Sequence, residues 1–242
     1  MSQNLPDFRS GVIKPVECLK EGYALIKDQY WLFFGITVVG MLIGGAVPIV
    51  LIGPMMCGIH MCLLQRIRGG NVEFADLFKG FDYFTPSLIA SVIQFIPMII
   101  LIVPTYIAFI VMFMMMGAMQ GREGNPAAAL VMVVLMFVLF MVVMLIAVVI
   151  QAFFIFMYPL IVDQKLSGVD AVKTSLNAAK ANLSGVIGLT LLNYALTFVG
   201  LLCCYVGALA VIPITMASYA VIYRKVFPQN FDSAAVTPNW QA

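Results

Sequence analysis

The chain has 242 residues, of which 63% are hydrophobic and only 10% are charged, and its formal net charge is +2. Soluble domains carry roughly 25% charged residues, so this chain lacks the polar surface of a water-soluble protein. The small net charge also argues against a nucleic-acid partner. The composition instead indicates an integral membrane protein whose main partner is membrane lipid.

The first 29 residues carry charges of both signs without a continuous apolar run, unlike a secretory signal peptide. Apolar segments follow that are close to the length of about 20 residues with which a helix crosses a bilayer. They predict an all-α fold, a polytopic transmembrane bundle of six spans in one domain over 1–227, followed by a short tail over 228–242. The predicted spans are 30–47, 49–65, 86–117, 126–158, 185–200 and 201–223. Re-entrant hairpins at 44–54 and 198–207 remain an alternative to thin pairs of spans.

The distribution of basic residues tests this topology. With both termini cytoplasmic, every lysine and arginine except Arg122 falls in a cytoplasmic segment. The positive-inside rule describes this bias. We therefore expect a multi-pass membrane protein with both termini in the cytoplasm.

Three amphipathic segments precede spans on the cytoplasmic side, at about 12–27, 73–81 and 168–181. The first has one apolar stripe at helical spacing, formed by Val12, Val16, Leu19, Tyr23 and Ile26. We expect these segments to lie as helices in the inner membrane interface. The alternative is a cytoplasmic helix packed on protein.

Similar stretches recur along the chain. "GYALIK" from Gly22 matches "GVDAVK" from Gly168, and "PMMCGIHMCLLQR" from Pro54 parallels "PITMASYAVIYRK" from Pro213. Both copies start on the same side, which predicts two parallel repeats of helix, span, proline and span, an arrangement known in transporters. The central hairpin is a candidate for a diverged third copy.

Two further motifs bear on family. "FADLFKGF" at Phe74–Phe81 stands before the third span, and "AVKTSLNAAKAN" at Ala171–Asn182 stands before the fifth. With the first amphipathic helix, they make the chain from about residue 10 to 227 resemble a loose group of uncharacterised bacterial multi-pass membrane proteins. This group includes the glycerophosphoryl diester phosphodiesterase membrane domain. The resemblance implies a six-helix inner-membrane fold, and it implies no phosphodiesterase activity because no catalytic domain accompanies it.

Cys57, His60 and Cys62 form the one cluster that suggests metal chemistry. On a helix, Cys62 points about 140° away from Cys57, and a structural zinc site needs four compatible ligands. His60 is the only histidine in the sequence, and the adjacent Cys203 and Cys204 diverge on a helix. We therefore expect no metal, no other cofactor and no enzymatic activity. The aspartates at 76, 82, 163 and 170 are interpreted as solvated.

A polar layer is predicted in the inner half of the membrane. Its members lie six to nine residues from the inner ends of the predicted spans: Thr37, His60, Gln94, Gln151, Asn193 and Thr215. One interpretation is hydrogen bonding between helices, with Gln94 and Gln151 as the natural pair across the central hairpin. The other is a cavity open to the cytoplasm.

Gly40 and Gly44 form a small-xxx-small face on the first span, which predicts close helix packing within the chain or in a homo-oligomer. Together these features predict a non-enzymatic inner-membrane protein that packs against other membrane proteins or organises lipid. The alternative is a permease or exporter of a neutral or amphipathic small molecule.

Overall fold

The computed structural model describes residues 6–120, 126–202 and 206–228. Within these ranges the chain forms helices and no strand, so the predicted all-α fold is confirmed. A 3₁₀ turn, Lys27–Gln29, precedes α2, and a 3₁₀ helix, Phe74–Tyr83, precedes α4. The α-helices are α1 Pro15–Ile26, α2 Tyr30–Ala46, α3 Pro48–Ile67, α4 Phe84–Gln120, α5 Pro126–Phe153, α6 Met157–Gln164, α7 Gly168–Ala181, α8 Leu183–Leu202 and α9 Val206–Val226.

Six helical stretches are long and apolar enough to cross a membrane: Pro15–Ala46, Pro48–Ile67, Phe74–Ala118, Ala129–Gln164, Leu183–Leu202 and Gly207–Val226. The chain therefore has the helices of a multi-pass membrane protein. The C-terminal tail and the loop containing Arg122 lie outside the described residues, as do Cys203 and Cys204.

The described residues divide into two compact units. Unit 1 comprises the residues up to Ile93 and those from Ala152 onwards, and unit 2 comprises Gln94–Gln151. Unit 1 contains most of the buried apolar side chains. The single domain over 1–227 stays a prediction.

Two predicted elements differ from the structure. The fourth span ends at Phe153 rather than at residue 158, and α6 follows after a turn at 154–156. Pro159 explains the break, because its ring displaces the carbonyl four residues earlier and it has no N–H to donate. The segment at 73–81 is a 3₁₀ helix, whose first turn is closed by reciprocal hydrogen bonds between Glu73 and Asp76.

The turn at 44–54 is a single residue. Val47, with φ −135° and ψ 82°, separates α2 from α3, and Pro48 occupies the first position of α3. The Val47 carbonyl accepts hydrogen bonds from the N–H groups of Val50 (3.1 Å) and Leu51 (2.9 Å). The turn is thus closed by its own backbone.

We call α1, the 3₁₀ helix Phe74–Tyr83 and α7 the flanking segments, and α3, α6 and α9 the core helices. Within unit 1, each flanking segment contacts helices that come before it in the chain, if α1 is counted as following α9. The 3₁₀ helix contacts α2 and α3, and α1 contacts α8 and α9. The third, α7, contacts α6, and Gly168 at its start lies against Pro86 and Ala90 of α4. The 3₁₀ helix and α1 therefore each pack on both helices of a hairpin, whereas α7 packs mainly on α6.

Two flanking segments lie alongside the C-terminal halves of α3 and α9. We call the C-terminal halves and ends of the core helices their inner halves and inner ends. Leu77 of the 3₁₀ helix meets Gly58, nine residues before the end of α3. In the same way, Gly22 of α1 meets Ala217, nine residues before the end of α9. In α7, the Ser175 hydroxyl donates to the Phe153 carbonyl (2.7 Å), close to the start of α6. The flanking segments thus cover the sides of the core helices rather than only their ends.

The similar motifs "GYALIK" and "GVDAVK" do not occupy equivalent positions in this packing. Gly22 lies in the middle of α1, whereas Gly168 is the first residue of α7. The residue of α7 that meets its neighbouring hairpin at its middle is Ser175. The two motifs therefore occupy different places in their helices.

The outward faces of α1 and α7 differ. In α1, the predicted stripe residues Val16 and Tyr23 are exposed, while Ile26 is buried. In α7, the apolar residues Val172 and Ala179 are buried against protein. The exposed residues of α7 include Val169, Lys173, Asn177 and Lys180. Packing on protein thus dominates in α7, and α1 leaves apolar side chains free for lipid.

Candidate functional site

The inner ends of the three core helices are joined by one carboxylate. The Asp163 side chain, near the end of α6, is completely buried and forms an ion pair with Arg68 at the end of α3. Its other oxygen, Oδ2, accepts a hydrogen bond of 2.7 Å from the hydroxyl of Tyr223 on α9. We call Arg68, Asp163 and Tyr223 the inner-end triad.

Local sequence fixes the position of Arg68. Gly69 adopts φ +76°, a left-handed conformation that favours glycine and ends α3. Its N–H bonds the Arg66 carbonyl (3.0 Å), and the Gly70 N–H bonds the Gln65 carbonyl (3.0 Å). These hydrogen bonds satisfy the terminal carbonyls of α3 and leave Arg68 as the helix cap.

Aromatic packing fixes Tyr223. Its ring lies 5.1 Å, between centroids, from that of Phe227. Phe227 in turn makes an edge contact with Phe156 in the turn between α5 and α6, at 5.7 Å. These three rings are fully or almost fully buried. The hydroxyl of Tyr223 is therefore held at a fixed height on α9, within reach of Asp163.

Two further ion-pair groups tie α1 to core helices. Glu21 accepts from Lys225 (2.6 Å) and from Arg224 (3.4 Å) at the end of α9. Arg66 of α3 pairs with Asp28 (3.5 Å) and donates to the Leu25 carbonyl (3.2 Å). The charges near the inner ends thus serve contacts between helices.

Three of the predicted polar-layer residues in unit 1 are buried and bonded to nearby helical groups. Thr37 donates to the Phe33 carbonyl (2.8 Å), and Thr215 donates to the Ile212 carbonyl (2.8 Å). Asn193 Nδ2 donates to Ser218 Oγ (3.1 Å), which joins α8 to α9. These three side chains therefore form hydrogen bonds within their own helix or with the neighbouring helix.

Two buried polar atoms of the predicted layer have no hydrogen-bond partner in the described structure: His60 Nδ1 and Asn193 Oδ1. Both side chains are less than 5% exposed. Such atoms are the places where a buried water or another donor would bind.

Gln94 and Gln151 form the predicted pair in unit 2. Gln94 Nε2 donates to Gln151 Oε1 across 3.1 Å, which joins α4 to α5. These are the two residues that the sequence predicts as a hydrogen-bonded pair across the central hairpin.

Gly40 and Gly44 pack within the chain. A Cβ atom at Gly40 would lie 3.0 Å from the Ile59 side chain, and one at Gly44 would lie 3.0 Å from that of Ile52. This face of α2 is therefore occupied by α3, and a homo-oligomer would need another surface.

Within the described residues, no group of three or more His, Cys, Asp or Glu side chains could hold a metal ion. Cys18, Cys57 and Cys62 are buried free thiols. Burial of this kind is common for free cysteines, which behave as small apolar side chains.

The interpretation of Asp163 as a solvated residue is wrong. Its burial depends on three helix ends that are distant in sequence, so hydropathy alone does not reveal it. The one local signal is that Asp163 directly follows the apolar run Leu160–Val162 in a helix whose other residues are largely buried. Asp76 is also buried, where it pairs with Lys79 (2.6 Å) and caps the 3₁₀ helix.

Comparison with known proteins adds no relative: no family model matches the chain, and no curated protein or solved structure is significantly similar to it.

Proposed function

We propose that the chain is a non-enzymatic integral protein of a bacterial inner membrane that packs against other membrane proteins or organises lipid. The observation that supports this function is the exposed apolar surface of the α4–α5 pair. In unit 2, large apolar side chains are exposed along both helices, among them Ile100, Phe113, Leu130 and Phe137. A surface of this kind fits a membrane or a membrane-embedded partner.

The inner-end triad fits a structural role in this proposal. Its carboxylate is buried between a cation and a hydroxyl that both donate to it. Paired carboxylates of this kind hold helices together, because removal of one partner leaves an uncompensated buried charge. We therefore propose that the triad stabilises the fold and takes part in no reaction.

Both termini are placed in the cytoplasm in this proposal, with the resemblance to the bacterial multi-pass group as further support. The basic residues exposed on α7, Lys173 and Lys180, then face the cytoplasm, as the positive-inside rule requires. A cysteine at Lys173 should react with an impermeant maleimide in inverted vesicles and not in intact cells. Reaction in intact cells would reverse the orientation.

An internal repeat of three hairpins is also part of the proposal. Its support is the packing of the 3₁₀ helix and α1, which meet α3 and α9 at Gly58 and Ala217, each nine residues before the end of its helix. The central hairpin, a candidate third copy from sequence, would then be the lengthened member.

The alternative, a permease or exporter, has one observation in its favour. Asn193 Oδ1 and His60 Nδ1 are buried acceptors or donors without a partner in the described structure. The other polar-layer side chains are engaged with their own helix or with one neighbour. We therefore prefer the packing function.

Photocrosslinking in living cells tests the proposal. A benzophenone amino acid replaces Phe113 or Phe137, which are both more than 60% exposed, and the matched control replaces Phe33, which is fully buried. We expect crosslinks from the two exposed sites to phospholipid or to one reproducible membrane protein, and crosslinks within the chain from the control. Labelling of the exposed sites by aqueous reagents, without either product, would overturn the proposal.

A further inference from the structure

The hairpin turns of the chain differ in their chemistry. At the α2–α3 turn, residues 45–50 are glycine, alanine, valine, proline, isoleucine and valine, and all six are exposed. The ends of α8 and α9 likewise expose Phe198, Leu202 and Leu209. In contrast, residues 120–125, between α4 and α5, read QGREGN in sequence. The α2–α3 turn and the exposed ends of α8 and α9 therefore suit hydrocarbon, whereas the sequence of the α4–α5 loop suits water.

The flanking segments mark where the aqueous side of the membrane begins. The exposed face of α7 carries two lysines and an asparagine, and the exposed face of α1 includes Glu17 and Lys20. The 3₁₀ helix carries the Asp76–Lys79 pair, with the lysine side chain 62% exposed. Charged side chains are costly in hydrocarbon, so the inner halves that these segments cover belong to the headgroup layer or to water.

The length of core helix beyond the flanking segments can be measured from the same contacts. From Gly58 to Val47, and from Ala217 to Val206, the helix rises about 16 Å at 1.5 Å per residue. The hydrocarbon core of a bilayer is about 30 Å thick. The 28 residues of α5, which end where α7 makes contact, extend about 42 Å. Measured in the same way, the two hairpins extend through about half of the hydrocarbon thickness, whereas α5 is longer than the full thickness.

The α2–α3 turn also meets the requirements of backbone buried in lipid. Unsatisfied N–H groups are costly there, and Pro48 has none to satisfy. Beyond Ile49, the N–H groups of Val50 and Leu51 both bond the Val47 carbonyl. At the other hairpin, Gly200 approaches the backbone of Gly207 and Ala208 so closely that a Cβ atom would lie 2.7–2.8 Å from it. The described ends of α8 and α9 therefore approach each other closely at Gly200.

We infer that α2–α3 and α8–α9 are re-entrant hairpins, which enter the bilayer from the inner side and turn within the hydrocarbon, whereas α4 and α5 cross it. The inference goes beyond the proposed function and keeps both termini on one side, since each re-entrant hairpin returns to the side it came from. Six helices are long enough to cross a membrane. The flanking segments cover part of α2, α3, α8 and α9, so a shorter length of these four helices can lie in hydrocarbon.

Depth-dependent quenching of tryptophan fluorescence tests this inference. Trp31 and Trp240, the two tryptophans of the chain, are first replaced by phenylalanine. Single tryptophans are then introduced as V50W or L201W at the two apolar turns, in vesicles that contain lipids brominated either near the headgroup or near the chain end. The controls are F137W, at an exposed site within α5, and K173W, at an exposed site on α7.

We expect V50W and L201W to be quenched at least twofold more by the deeply brominated lipid than by the shallow one, as F137W is, with K173W quenched by neither. Stronger quenching by the shallow lipid, or none, would overturn the inference for that hairpin. In intact cells, V50C should not react with an impermeant maleimide under conditions in which R122C reacts fully. Equal reaction of both would show that the hairpin crosses the membrane. Since the photocrosslinking sites lie in unit 2, failure of this inference is distinguishable from failure of the proposed function.

Discussion

The Tyr223 hydroxyl donates a hydrogen bond of 2.7 Å to Oδ2 of Asp163, and so joins α9 to α6 at their inner ends. Arg68 binds the other oxygen of the same carboxylate. One buried side chain therefore holds three helices that are separated by 60 or more residues in sequence.

Removal of the Asp163 charge should destabilise the protein. D163N keeps the size of the side chain and removes the carboxylate that pairs with Arg68. The charge that remains, on Arg68, is partly exposed to water, so the expected cost is that of weakened charge-assisted hydrogen bonds, about 1.5–3 kcal/mol. The measurement is reversible unfolding in mixed micelles. The control is D82N, at an exposed aspartate, which should change the free energy of unfolding by less than about 0.5 kcal/mol. Equal effects of the two substitutions would contradict the role of the triad.

The contact between the 3₁₀ helix and α3 should not tolerate a methyl group. A Cβ at Gly58 would overlap the Leu77 carbonyl, and one at Gly80 would overlap the Pro54 carbonyl. We expect G58A to cost about 1–3 kcal/mol, the usual range for overpacking. The matched control is G45A, where no atom lies within 4 Å and alanine should stabilise the helix by about 0.5–1 kcal/mol. Unfolding of both variants in the same micelles gives the comparison, and a neutral G58A would refute the packing.

The Gln94–Gln151 hydrogen bond should contribute little. Hydrogen bonds between membrane helices average about 0.6 kcal/mol in double-mutant cycles. The variants Q94L, Q151L and the double variant, measured by unfolding, should therefore give a coupling energy near that value. A coupling energy of zero would mean that the two side chains do not interact in the membrane.

Hydropathy predicted the long helices well because each contains a long, apolar run of residues. The Gln94–Gln151 pair was also predictable, since both residues lie near the inner part of consecutive helices joined by one short loop. In two consecutive antiparallel helices, residues at similar distances from the connecting loop lie side by side, and this is enough to predict such a pair.

The inner-end triad was beyond prediction for a physical reason. Its members belong to three different hairpins, and their proximity results from packing of the flanking segments on the core helices. Sequence periodicity describes the faces of one helix, whereas Asp163, Arg68 and Tyr223 meet only once several helices are in place. The helix break before Pro159 was only partly predictable. The proline is visible in the sequence, but apolar residues continue on both sides of it.

The central claim is that the inner half of unit 1 is a packed structural core and not a route for solutes. Asn193, which is buried between α8 and α9 and bonded to Ser218, gives the most direct test. A cysteine in its place should stay unreactive toward a small, charged methanethiosulfonate in inverted vesicles, at the level of the wild-type chain, whose described cysteines are buried. K173C serves as the reactive control. Modification of N193C at a rate comparable to that of K173C would contradict the claim and favour transport.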